Sequence, residues 1–164
     1  MNMKILSMDQ STKITGWSLF NDGNYVTSGV IDLHKIKDTE ERSKQMAVEI
    51  CKLIEGNEPD CVVIEEVALT SNAQTLKLLA RLQGVAIGFC AAHNISLHIL
   101  EPTKWRSCLH FTQGPKVKRE QLKQQSRDFI KTYLKLTIQS EDENEAIAIN
   151  EAAHRIFGWD DDEI

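Results

Sequence analysis

Four carboxylates in this 164-residue chain occupy positions from which acids can act together. Asp9 closes the apolar segment "KILSMD", Glu65 stands at the end of "DCVVIEE", and Asp142 and Glu145 lie in "SEDENEAIAINEAAHRIFG", residues 140–158. Asp142 and Glu145 are three apart, so a helix puts them on one face, which continues through Ile149 and Ala152 or Ala153 toward a core. Carboxylates at the edge of a buried stripe are costly unless paired or bound to a metal. If the two strand ends are neighbours and the helix packs over them, the four acids converge, and their mutual repulsion raises some of their pKa values. Two Mg²⁺ or Mn²⁺ ions relieve that repulsion. Hard cations take oxygen ligands, and a pair about 4 Å apart activates water and stabilises the leaving oxygen in phosphodiester cleavage. The same stretch also reads as a well-capped helix. Ser140 and Glu143 fit a capping box, the early acids face the positive end of the helix dipole, and Gly158 fits a helix stop.

The elements that must position these acids follow from periodicity and turn signals. "KILSMD" (4–9), "TGWSLFN" (15–21) and "NYVTSGVID" (24–32) read as three strands, the last two separated by a turn at Asp22-Gly23. A helix is expected over 38–56, with Met46, Ile50, Leu53 and Ile54 inward, followed by a buried strand at 60–66. A long helix over 71–93, a fifth strand "ISLHILE" closed by Pro102, a short helix around Trp105, a loop at "TQGP" and two helices complete the chain. This order describes an α/β fold: a mixed five-stranded sheet, its first three strands antiparallel, with helices on both faces. Sites in such sheets lie beyond the carboxyl ends of the central strands, here Asp9 and Glu65. Glu66 alternates to the opposite face, where a structural role is expected.

Length is that of a single domain, 1–164, large enough to bury a core without staples. No targeting signal and no apolar run of membrane-span length is read, so a cytoplasmic protein is expected, in a bacterial cell or a phage-infected host. Cys51, Cys61, Cys90 and Cys108 show no metal-ligand spacing and read as reduced thiols. The five histidines, at 34, 93, 98, 110 and 154, form no ligand motif. Trp17, Trp105 and Trp159 read as core or helix-crossing residues, although Trp105 between Lys104 and Arg106 also suits base stacking. Thr12, Lys13 and Thr15 are candidate phosphate contacts.

Net charge is −5, yet residues 116–135 carry seven Lys or Arg against two acids, leaving 12 basic and 22 acidic residues elsewhere. The segment reads either as a solvated amphipathic helix, with Leu122, Phe129 and Leu134 or Leu136 inward, or as a phosphate-facing patch.

Taken together, "MDQSTKITGWSLF", "VVIEEVALTSNAQTLKLLARLQGVAIG", "PTKWR" and "DENEAIAIN" resemble, in order and spacing, the RuvC family of Holliday-junction resolvases, within the ribonuclease H-like fold. The resemblance covers nearly the whole chain. It implies a homodimeric, Mg²⁺-dependent endonuclease that nicks two strands of branched DNA symmetrically. It places the catalytic, metal-holding acids on Asp9, Glu65, Asp142 and Glu145, and basic roles on Arg106 and on Lys118 or Arg119. With Lys116, Lys123 and the loop residues Ala68 and Leu69, these make the expected DNA-binding set. Three positions depart from the family pattern. Ser11 replaces a glycine, the last acid is the longer glutamate, and Ala68 replaces a commonly aromatic residue that stacks at the junction. Broader acceptance of branch types is expected from the last. A sugar-kinase-like or actin-like ATPase would need a Gly-rich phosphate loop and a second domain. A non-catalytic junction-binding protein, or a ribonuclease H-like enzyme acting on RNA, remain as alternatives.

Overall fold

The computed structural model describes residues 3–158; Trp159, expected to pack in a core, lies outside them. The chain runs β1 (Lys4–Asp9), β2 (Ile14–Asn21), β3 (Asn24–Asp32), α1 (Thr39–Asn57), β4 (Cys61–Glu65), α2 (Ala73–Ala92), β5 (Ser96–Leu100), α3 (Pro102–Cys108), α4 (Arg119–Tyr133) and α5 (Glu141–Phe157). The sheet order is β3-β2-β1-β4-β5. β1, β2 and β3 pair antiparallel, whereas β4 pairs parallel with both β1 and β5. The helical crossovers through α1 and α2 make the parallel pairings possible. The basic helix is shorter than its charge run. It starts at Arg119, and Lys116 and Lys118 lie in the loop before it.

Strand alternation divides the interior into two layers. Ile5, Cys61 and Val63 join α3, α4 and α5 on one face; Leu6, Met8, Val62 and Ile64 join α1 and α2 on the other. The same alternation carries Asp9 and Glu65 to the α5 side. It sends Glu66 to the α2 side, where its Oε1 accepts from Gln83 Nε2 at 3.0 Å.

Buried polar groups fix α5 on the sheet. The Ser7 and Ser18 hydroxyls, 2.7 Å apart, both bond the Ala146 carbonyl, at 2.6 and 3.2 Å. One turn later, Asn150 Nδ2 donates to the Ile5 carbonyl at 3.1 Å and to the Ser18 carbonyl at 3.3 Å. Polar groups inside a core are costly unless bonded, so this network specifies one axial and rotational setting of the helix. The caps agree with the sequence: Ser140 Oγ accepts from the Glu143 N–H at 3.3 Å, and Gly158 ends the helix in the left-handed region, at φ 66°. The Glu143 carboxylate, however, does not close a capping box. It accepts from Ser28 Oγ at 2.6 Å and ties the first turn of α5 to β3.

Against the expectation of no span-length apolar run, α2 is long and apolar enough to cross a membrane by length and composition alone. In the fold it is a flanking layer. Leu78, Leu82, Ala86 and Cys90, successively four apart, form its buried stripe. Its other side is exposed at Gly84, Ile87, Gly88 and Ala91. A Cβ built on Gly84 or Gly88 meets nothing within 4 Å, so neither glycine serves packing within the chain. All four cysteines are free thiols, and burial pushes Cys61 up to about 12 and Cys90 up to about 11.

Candidate active site

β1 and β4 run parallel with Met8 opposite Ile64, so the chain leaves the sheet at Asp9 and Glu65 side by side. Across the other edge of β1, Asp9 pairs with Gly16 of β2. The first turn of α5 lies directly on that glycine. A Cβ there would sit 2.0 Å from the Asp142 carbonyl oxygen and 2.7 Å from the Glu143 nitrogen. Gly16 is therefore required for space, and its absent side chain lets Asp142 and Glu145 reach Asp9.

The four acids sense one another. Asp9 is raised well above the ordinary carboxylate range, first by burial and then by the charges of Glu145, Glu65 and Asp142. Of these neighbours, Glu145 acts on Asp9 most strongly. Glu65 is raised by burial, against the pull of Arg106 and a hydrogen bond from Trp105. Asp142 is raised chiefly by burial, opposed by Lys123 and Arg119.

Three cations act on these acids, Arg106, Arg119 and Lys123. Arg106 Nη2 lies 3.9 Å from Glu65 Oε2 and 3.9 Å from Glu145 Oε1, with its side chain only 17% exposed. Arg106, expected to bind DNA, has its guanidinium between two of the acids. Arg119, the exposed first residue of α4, is close enough to act on both Glu65 and Asp142.

Among the described residues, no three His, Cys, Asp or Glu side chains are gathered into a ready-made metal shell. The donor set nevertheless fits a hard divalent cation. It is all carboxylate oxygen and half-buried, with burial first and mutual repulsion second raising Asp9.

The other expected site residues divide. Lys116 and Lys118 are exposed in the loop before α4. Lys123 is not a free phosphate contact: it is 15% exposed and paired with Glu141, which Arg127 also engages. Ala68 and Leu69 are on the exposed loop after β4, Leu69 at 92%. Thr15, a candidate phosphate contact, is buried; its Oγ1 donates to the Ser11 carbonyl at 2.9 Å and accepts from the Ser11 N–H at 3.1 Å. The Ser11–Thr15 pair thus shapes the β1–β2 turn where the family pattern has glycine. Trp105 is buried, and its contact with Glu65 had no signal in the spacing of the motifs.

A stability effect follows from the raised carboxylates. A folded pKa above the unfolded value, about 4 for these side chains, favours the protonated form in the fold. The corresponding stability is complete below about pH 4 and is lost as pH rises through the raised values. Metal-free Asp9→Asn protein is therefore expected to melt above wild type at pH 8, with the gap closing toward pH 4. Melting curves in EDTA across that range check this; a gap independent of pH would contradict it.

A sheet ordered β3-β2-β1-β4-β5, with acids at the carboxyl ends of its central parallel pair and on the helix above them, defines a ribonuclease H-like α/β fold. Comparison with known proteins narrows this. Residues 2–156 match the family described as Lactococcus phage M3 protein. The crossover junction endodeoxyribonuclease RuvC of Geotalea uraniireducens is 31% identical over 152 residues, 90% of this chain and 85% of that one. The protein of the same name from Caldicellulosiruptor saccharolyticus is 29% identical over 105 residues, 61% of this chain and 63% of its own length. The structure of T. thermophilus RuvC in complex with Holliday junction substrate superposes with a TM-score of 0.71, covering 95% of each chain at 11% identity. The chain belongs to the RuvC family, and to the phage-protein family whose model it matches.

Proposed function

We propose that the protein is a structure-selective endonuclease that nicks branched DNA at the site formed by Asp9, Glu65, Asp142 and Glu145. The reading is supported by the placement of Asp9 and Glu65 at the ends of the adjacent strands β1 and β4, beside the turn of α5 that carries Asp142 and Glu145. Its relatives are named crossover junction endodeoxyribonucleases, which supports DNA as the substrate. The acids are the residues that would hold Mg²⁺ or Mn²⁺, two ions per site. Such ions supply an activated water and charge stabilisation for the leaving oxygen. The chain's own groups do the rest. Arg106 holds Glu65 and Glu145 in place while the acids are otherwise uncompensated, and Arg119 brings positive charge to the edge of the site. Lys116 and Lys118 contact the phosphates of an arm, and exposed Leu69 offers an apolar wedge at the branch point.

Symmetric nicking requires two such sites related by a twofold axis, which an isologous homodimer supplies. The exposed small-residue side of α2, at Gly84, Gly88 and Ala91, permits close helix approach and supports that face as the contact. Incubation of labelled four-way, three-way, flap and linear duplex DNA with Mg²⁺ tests the whole reading. Paired nicks in opposed strands of the junction are expected, with linear duplex uncut; uncut junction at any metal concentration would end the nuclease reading. Ala68 offers a methyl group where an aromatic ring would stack, an interaction worth about 1–3 kcal/mol per base. Three-way junctions are therefore expected to be cut nearly as well as four-way ones.

Phosphate contacts by Lys116 and Lys118 make affinity salt-dependent. Lys116→Ala with Lys118→Ala is expected to flatten the log-affinity against log-salt slope by about 0.9 per lost contact on duplex arms. These two lysines, and not Arg119, isolate the effect, because Arg119 also acts on the acids. An unchanged slope would return the segment to a solvated surface.

A further inference from the structure

Trp105 is fully buried on α3, and its Nε1–H donates to Glu65 Oε2 at 2.6 Å. The ring is fixed on two other sides. Phe111 meets it edge-on at 5.8 Å, and the Arg106 guanidinium carbon lies 4.9 Å from its centroid. Arg106 also approaches the same Glu65 oxygen. Both contacts fall on Oε2, the indole by a hydrogen bond and the guanidinium at 3.9 Å, so they hold that oxygen and leave Oε1 for a ligand. A buried indole N–H requires an acceptor, and here that acceptor is an acid of the site instead of a backbone carbonyl.

We infer that Trp105 is a positioning residue that holds Glu65 in the orientation needed to bind a divalent cation, an inference that rests on the proposed metal-holding role of Glu65. Groups that hydrogen-bond a metal ligand typically alter metal affinity or activity by about 10- to 100-fold when removed. Trp105→Phe keeps an aromatic ring against Phe111 and removes the donor, together with part of the buried indole's volume.

Calorimetric titration with Mn²⁺, beside melting curves and junction binding in EDTA, tests this. Trp105→Phe protein is expected to melt below wild type but stay folded at the assay temperature, to bind junction DNA within about 2-fold, and to bind Mn²⁺ about 10- to 100-fold more weakly. Folded Trp105→Phe protein with wild-type Mn²⁺ affinity would overturn the inference alone. Wild-type protein with no saturable Mn²⁺ binding would overturn the metal-site reading and the inference with it. A second measurement covers a variant that does not fold. In Trp17→Phe/Trp159→Phe protein the sole indole is Trp105, and its emission is expected to follow the Mn²⁺ binding curve, with the response lost on Glu65→Gln. Emission indifferent to bound Mn²⁺ would overturn the inference.

Discussion

Asp9→Asn, Glu65→Gln and Asp142→Asn are each expected to lower the strand-cleavage rate by about a thousandfold or more while leaving junction binding as tight as wild type or tighter. The size of the effect follows from what a ligand acid does. A bound cation contributes several kcal/mol of transition-state stabilisation, and about 4 kcal/mol corresponds to about a thousandfold in rate. The direction of the binding effect follows from electrostatics. Each acid repels DNA phosphate, and an isosteric amide removes that charge without changing the volume at the site. Asp9 is the most telling of the three, because it is influenced by all the others. An Asn there keeps the side-chain volume and removes a buried charge, so the fold is expected to survive. Single-turnover cleavage, with binding measured separately in Ca²⁺, checks the result. A variant that cuts at the wild-type rate would remove its residue from the site, and two such variants would end the nuclease reading.

The acids were legible in the sequence because each lies at a boundary that short-range patterns mark. Asp9 and Glu65 end apolar runs, and strand alternation alone puts them on the face opposite Met8 and Ile64. Asp142 and Glu145 open a helix whose cap residue and stop glycine are both local signals. The partners of these acids were not legible, because none is local. Trp105 reaches Glu65 across 40 positions of sequence, and Arg106 approaches both Glu65 and Glu145 from a separate helix. Nothing in "PTKWR" distinguishes a tryptophan that packs from one that holds a carboxylate. Charge counting misled for a related reason. Lys123 adds to the basic total of its segment, but the fold spends that charge on Glu141, 18 positions away. Of the exposed cations in that segment, Arg119 at the start of α4 is the one that acts on the acids, where the helix begins later than the charge run does.

Gly16→Ala is expected to abolish most cleavage, about a hundredfold or more, although it touches no acid side chain. A Cβ at this position would lie 2.0 Å from the Asp142 carbonyl oxygen and 2.2 Å from its carbonyl carbon. Both are backbone atoms, so no rotamer change relieves the clash. The first turn of α5 must retreat by about 1 Å or more, and a misplacement of that size can cost about a hundredfold in rate. The helix cannot slide as a unit, because Ala146 and Asn150 are bonded to Ser7, Ser18 and Ile5 beneath it. The strain therefore concentrates in the turn that carries Asp142, and Glu145 is drawn away from Asp9. Overpacking of this kind also costs about 1–3 kcal/mol of stability, which lowers the melting temperature by several degrees in a chain of this length. Gly29→Ala separates the two consequences. Its Cβ would press on the Trp17 ring at 2.9 Å, a side chain on β2 away from the acids. Gly29→Ala is expected to lose stability and keep its cleavage rate at a temperature where it is folded. Gly16→Ala, assayed at that same temperature with its folded fraction measured, is expected to stay inactive; cutting at the wild-type rate would show that the approach of α5 to Gly16 does not set the geometry of the site.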